Sequence, residues 1–172
     1  MIKKEIPLQS GMGGGSMNAA NLLNYFYKKK IINFNELKKY SLKIGSDVIL
    51  GLNNRPKILY KDGSIKEIRD IKKYHILIVK PFFGCSTKRI YSLNKTFSKS
   101  EFNKTKKNIV KNAILNGKND LEKSAFKLYP DLKKIKNLLN QNKEANFVRM
   151  TGSGSAIIVY FNSNKFAKNA LK

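Results

Sequence analysis

Apolar residues recur at helical spacing from Ala19 to Phe26, where Ala19, Ala20, Leu22, Leu23, Tyr25 and Phe26 form one broad face. Ser16 precedes this run and is placed to cap its first turn. A second helical pattern over 33–45 carries Leu37, Tyr40, Leu42 and Ile44, with Asn35 as its expected cap and Gly45 as its stop. A short strand is expected over 2–8, ahead of the first helix. Residues 46–52, "SDVILGL", turn apolar after their first two positions. Two short apolar runs flank Asp62-Gly63, so 56–68 reads as a hairpin.

Beyond the lysine pair Lys72-Lys73 the pattern changes, which divides the chain into expected domains 1–72 and 73–172. "HILIVKP" (75–81) reads as a buried strand and "STKRIYSLN" as a short helix capped by Ser86. Helices are expected over 101–115, 119–128 and 130–142, the last with Pro130 in its first turn. "NFVRM", "TGSG" and "SAIIVYF" read as strand, tight loop and strand, and a final helix runs to the end. The second domain is therefore expected to be α+β, with its helices on one side of a sheet.

The 172 residues suffice for one average domain or two small ones, and 41% apolar content supports a packed core. Cys85 is the single cysteine, which excludes an internal disulfide, fits a reducing compartment, and reads as a small buried hydrophobe. The apolar runs are strand-length, and "MIKKEIP" has no signal-peptide core, so a cytoplasmic protein without membrane partners is expected. A net charge of +24 raises the question of nucleic acid. The lysines are spread along the chain and the arginines are only Arg55, Arg69, Arg89 and Arg149. Arginine is the usual reader of base edges, and a joint excess of Lys, Asn and Ile follows from compositional bias, so specific nucleic-acid binding is not expected. A basic nucleic-acid-binding α+β module is the alternative outside the enzymes. The sequence carries no signal for oligomeric state.

The candidate chemistry lies between the first strand and the first helix. "IPLQSGMGGGSMNAANLL" places Gly11, Gly13, Gly14 and Gly15 ahead of Ser16 and a helix start. Glycine lets backbone amides approach an anion, and a helix start adds unpaired N–H groups and a positive dipole end. The segment lacks the Lys-Ser/Thr of a P-loop, and Ser16 replaces the last glycine of the dinucleotide motif. A second loop, Thr151, Gly152, Ser153, Gly154 and Ser155, reads either as a hairpin turn or as a second wall of the same anion site. Asp47 is the one carboxylate in an apolar, glycine-preceded segment, and reads either as a turn residue or as a base.

These segments resemble the GHMP kinase superfamily, whose ATP motif runs P-x-x-x-G-[LM]-[GA]-[GS]-[GS]-S-[SA]-x-[AN]-A. "KIGSDVIL", "VKPFFGCSTKRIY", "NDLEKSAFKLYPDLKKIK" and "VRMTGSGSAIIVYF" are similar, in order, to segments of the member that phosphorylates the 2-hydroxyl of a cytidyl-diphosphate-linked methylerythritol. "NDLE" and "STK…Y" favour that member over the homoserine and mevalonate kinases. The resemblance spans 2–172 and implies the two-domain GHMP fold, with a truncated S5-like N-terminal domain and a ferredoxin-like C-terminal domain. It implies that Pro7, Leu8, Gln9, Ser10, Gly11, Met12, Gly13, Gly14, Gly15, Ser16 and Met17 wrap the phosphates of ATP. It further implies that Ser16 lies near Mg²⁺, that Asp47 is the base, and that Thr151, Gly152, Ser153, Gly154 and Ser155 close the phosphate site. The product would serve non-mevalonate isoprenoid synthesis.

Three positions depart from the family pattern. Met17 replaces a small residue, Ile49 replaces a proline, and "YKDGSIKEI" lacks the usual G-x-G-E. The family also opens with "P-A-K-[LIV]-N-L-x-L" and "D-G-Y-H", whose lysine partners the aspartate and whose Tyr and His hold the substrate. Neither segment has a counterpart here, and Lys3 and Lys4 do not match that lysine. The chain is therefore expected to be a fragment, or half of a split enzyme, that is not active alone.

Overall fold

The computed structural model describes residues 5–60, 62–69, 71–99 and 114–171. The chain forms two compact units, Gly13–Ile71 and the pair of segments Met1–Met12 and Lys72–Lys172.

In the unit Gly13–Ile71, helix α1 spans Gly14–Lys28 and α2 spans Phe34–Ile44. A 3₁₀ turn follows at Val48–Leu52, then the antiparallel strands β1 (Lys57–Leu59) and β2 (Ile65–Glu67). Ala20, Leu23, Leu37 and Val48 form its core. Helix α1 starts earlier than expected. Its cap is Gly13 at φ 69°, a left-handed geometry that glycine adopts freely, and Ser16 lies inside the helix without capping it. Helix α2 is capped by Asn33 rather than Asn35. The Asn33 side chain accepts from the Glu36 N–H at 3.0 Å, while the Glu36 carboxylate accepts from the Asn33 N–H at 2.8 Å. That reciprocal box satisfies two end groups at once and fixes the start. The hairpin turn is held by Asp62, whose carboxylate accepts from the N–H and hydroxyl of Ser64.

The other unit is built on a three-stranded antiparallel sheet of order β3 (His75–Val79), β5 (Ile157–Phe161), β4 (Phe147–Met150). Its helices are α3 (Thr87–Leu93), α4 (Leu121–Leu128), α5 (Pro130–Asn140) and α6 (Asn164–Asn169). Alternate strand residues point to one core. Val148, Met150, Ile157, Val159 and Phe161 are buried there with Ile90, Leu121, Ala125, Leu132 and Ala167 from the helices. Each large apolar side chain buried this way contributes about 1.5–3 kcal/mol. The opposite face carries a ring cluster of Tyr74, Phe147 and Tyr160, with Phe147 and Tyr160 stacked at 4.2 Å.

Ser86 caps α3 by accepting from the Arg89 N–H, and Pro130 opens α5, both as expected. The final helix stops at Asn169. The helix expected over 101–115 lies, up to residue 113, outside the described residues. Residues 5–8 of the expected first strand are not extended into a sheet. Pro7 has no N–H to give a ladder, and the chain instead turns at Gln9, φ 52°. Among the described residues no helix is long and apolar enough to cross a membrane.

Candidate functional site

The glycine segment straddles the division between the two units, which falls between Met12 and Gly13. Its two halves have different neighbours. In the first half, the Gln9 carbonyl accepts from the N–H groups of Cys85 and Ser155, both at 3.1 Å. The Ser10 carbonyl accepts from Ala156 N–H at 3.0 Å, and the Gly11 carbonyl accepts from the Thr151 hydroxyl at 3.1 Å. Ser10 is buried, whereas Pro7, Leu8 and Gln9 are exposed. The strap Gln9–Gly11 therefore lies directly on the loop Thr151–Ser155, and the two glycine loops meet.

The contact is too close for any side chain. A Cβ on Gly11 would fall 2.1 Å from the Thr151 carbonyl oxygen and 2.8 Å from the Gly154 nitrogen. One on Gly152 would fall 2.8 Å from the Gly11 carbonyl oxygen. Gly11 is thus glycine because two backbones touch there, and its role in the cradle differs from that of its neighbours. Gly13 and Gly15 are exposed, and a Cβ on either would meet nothing within 4 Å. The space that their missing side chains leave is free.

The same segment carries unpaired donors. Among the described residues, no acceptor meets the backbone N–H of Gly11, Met12, Gly13, Gly14, Gly15 or Ser16. All six residues are half-buried or exposed, so these donors are open to water or to a ligand. The last three open helix α1, whose dipole adds positive potential. The Ser16 hydroxyl also has no partner among the described residues. Met17 packs within its own unit against Gly51, where a Cβ would come 2.7 Å from the Met17 Cε. A glycine at 51 makes room for the larger residue at 17.

In the second loop, Ser153 and Ser155 are buried. The Ser155 hydroxyl donates to the Phe83 carbonyl at 2.7 Å, and the Ser153 and Thr87 hydroxyls share a hydrogen bond of 2.7 Å. Cys85 lies under this loop and is fully buried; a Cβ on Gly154 would reach 3.3 Å from its sulfur. Burial pushes the Cys85 thiol up to about 11, against the opposing pull of Lys80. Roughly one thiol in a thousand is then ionised at pH 8. Native protein is expected to react negligibly with a disulfide reagent at pH 8, and to titrate one thiol after denaturation.

Asp47 begins the 3₁₀ turn Val48–Leu52. Its neighbours Val48 and Ile49 are buried and anchor the turn, and its own side chain is exposed. The carboxylate makes no cap hydrogen bond; the Ser46 hydroxyl donates to it at 3.4 Å. Its position is thus held by backbone and apolar packing, while its oxygens remain available.

Residues 100–172 match the family profile described as GHMP kinases C terminal. Over 98% of its length the chain is 52% identical to 4-diphosphocytidyl-2-C-methyl-D-erythritol kinase of Pelagibacter ubique, covering 61% of that protein. Residues 100–172 thus carry a likeness to the C-terminal part of GHMP kinases, and the chain over nearly its whole length is similar to the Pelagibacter ubique kinase. The kinase of the same name from Thermodesulfovibrio yellowstonii is 34% identical over the whole chain, which covers 65% of it. A crystal structure of 4-(cytidine 5'-diphospho)-2C-methyl-D-erythritol kinase shares the fold, with a TM-score of 0.77 at 24% identity, over 98% of this chain and 63% of that one. The chain thus spans about three-fifths of the length of these relatives.

Two polar residues of the chain escaped the reading of its sequence as site residues. Thr87 stood only as part of a family-like segment, and its bond to Ser153 joins residues 66 apart. Asn119 opens "NDLE". Its side-chain nitrogen donates to the Met150 carbonyl at 2.9 Å and to the Gly152 carbonyl at 2.7 Å. In the same motif, Glu122 accepts from Met150 N–H at 2.9 Å and pairs with Lys136. A side-chain amide or acid just before a helix is the available signal, but its targets are too distant in sequence to be named from it.

Proposed function

We propose that this chain is the phosphate-binding and catalytic part of an ATP-dependent kinase that phosphorylates the 2-hydroxyl of 4-diphosphocytidyl-2-C-methyl-D-erythritol. The run of six unpaired N–H groups from Gly11 to Ser16 carries the reading. Such a run on a helix start is a nest for the oxygens of a polyphosphate. The substrate follows from the names of the relatives at 52% and 34% identity.

In this reading Gly13–Ile71 belongs to the ATP-binding domain and 73–172 to the C-terminal domain. Pro7–Met17 follow the phosphates and Thr151–Ser155 close over them. Phosphoryl transfer is mainly positioning and charge stabilisation, which backbone donors supply without reorganising. Mg²⁺ bound with the nucleotide would neutralise phosphate charge, and the unpartnered Ser16 hydroxyl suits an oxygen-seeking ion. Asp47 takes the proton from the attacking hydroxyl. The work is placed in the cytoplasm, with isoprenoid precursors as its end.

MgATP and MgADP are expected to raise the melting temperature of the chain. A ligand at 100 times its Kd adds about 2.7 kcal/mol. The Gly15→Ala variant separates ligand binding from folding. It meets no steric barrier and favours the helix by up to about 1 kcal/mol, so its unliganded Tm is expected to stay or rise. Its methyl group fills the cradle, so the nucleotide-induced shift is expected to shrink. A wild-type chain with no shift at millimolar MgATP would overturn the reading.

A further inference from the structure

Asn119 makes three hydrogen bonds that no other side chain can reproduce. Its single Nδ2 uses both protons, one on the Met150 carbonyl and one on the Gly152 carbonyl. Its Oδ1 accepts from Leu121 N–H at 3.0 Å, at the start of α4. Aspartate has the shape without the donors, serine has one donor, and glutamine is longer. The residue therefore ties a helix start to both ends of a short backbone segment.

That segment belongs to the second glycine loop, and the geometry has a consequence for its other side. In a planar trans peptide the C=O and the following N–H point in opposite directions. Holding the Gly152 carbonyl on Asn119 turns the Ser153 N–H away from it. Among the described residues, neither the Gly152 nor the Ser153 N–H has an acceptor. The Ser153 side chain cannot swing freely to compensate, because its hydroxyl is held by Thr87. Gly152, at φ 50°, also has the freedom to flip this peptide if nothing restrains it.

We infer that Asn119 is a positioning residue for the phosphate site: it fixes the 152–153 peptide so that the free Ser153 N–H, next to the free Gly152 N–H, is presented to an anionic phosphoryl group. This rests on the nucleotide reading above and adds to it a residue that touches no ligand. Without the carboxamide, the 152–153 peptide samples both orientations, and the Ser153 donor is lost part of the time.

The test follows backbone amide resonances of the full chain while sodium tripolyphosphate, then MgATP, is added. In the wild type, the amides of residues 11–16 and those of Gly152 and Ser153 are expected to shift together. Asn119→Asp and Asn119→Ser are expected to keep the 11–16 shifts, lose most of the Ser153 shift, and weaken MgATP binding about tenfold. Glu122→Ala loosens the same helix from β4 and serves as the stability control: a lower Tm with the 152–153 shifts intact supports a role specific to Asn119. If the wild type shifts only at 11–16, or the Asn119 variants keep the Ser153 shift, the inference is overturned and the nucleotide reading stands. If nothing shifts in the wild type, both fall.

Discussion

Gly11→Ala is expected to be among the most destabilising single-methyl additions in this chain. The new Cβ would sit 2.1 Å from a backbone oxygen and 2.8 Å from a backbone nitrogen, neither of which can rotate aside as a side chain would. The residue also keeps φ 71°, where an L-residue loses about 1–2 kcal/mol. Overpacking of this kind adds about 1–3 kcal/mol or more. The expected loss is therefore about 2–5 kcal/mol, and the melting temperature is expected to fall by about 4–20 °C. The strap would lift off the second loop, releasing the bonds from Gln9 and Ser10 to Cys85, Ser155 and Ala156. Thermal unfolding followed by far-UV circular dichroism checks this. A Gly11→Ala protein as stable as the wild type would show that the two loops do not touch in solution.

Asp47→Asn is expected to have the opposite profile. The side chain is exposed and makes no cap bond, so stability is expected to change by less than about 0.5 kcal/mol. The amide has the same shape and cannot take a proton. General-base removal lowers turnover by on the order of 10²–10⁴-fold. ADP release in the presence of MgATP and 4-diphosphocytidyl-2-C-methyl-D-erythritol measures it. It is to be run on this chain and on a form extended by the N-terminal part of the 52%-identical relative. MgADP affinity is expected to stay near the wild-type value, because the substitution leaves the glycine segment untouched. A kcat within threefold of wild type would remove Asp47 from the role.

The two residues differ in how far the sequence reveals them. Local signals were legible where the chain's own neighbours set the structure: the Asp62-Gly63 turn, the Ser86 cap, Pro130 at a helix start, and the strand–loop–strand around Gly152. The start of α1 was not, because Ser16 is the better cap by residue type while Gly13 is the better one by backbone geometry. The start of α2 turned on choosing between two asparagines, and the Glu36 three places after Asn33 decides it. Residues 5–8 were misread because an apolar run next to Pro7 looks like a strand until its carbonyl partners are known. In the candidate site, four glycines looked equivalent in sequence. One of them is set by contact with another loop and at least two by empty space. Asn119 could be noticed as a helix-start residue, but not assigned to carbonyls 31 and 33 positions away.

The strap also bears on how the protein is made. Gly11 and its partner Thr151 are 140 residues apart, so the loop between them encloses most of the polypeptide. Contacts of such long separation form late, because a large entropy of closure must be met before they yield any stabilisation. During synthesis Gly11 is made 140 residues before its partner and waits for it. Until that closure the strap Gln9–Gly11 has no hold on the loop at 151–155, and the contact between them is among the last to form.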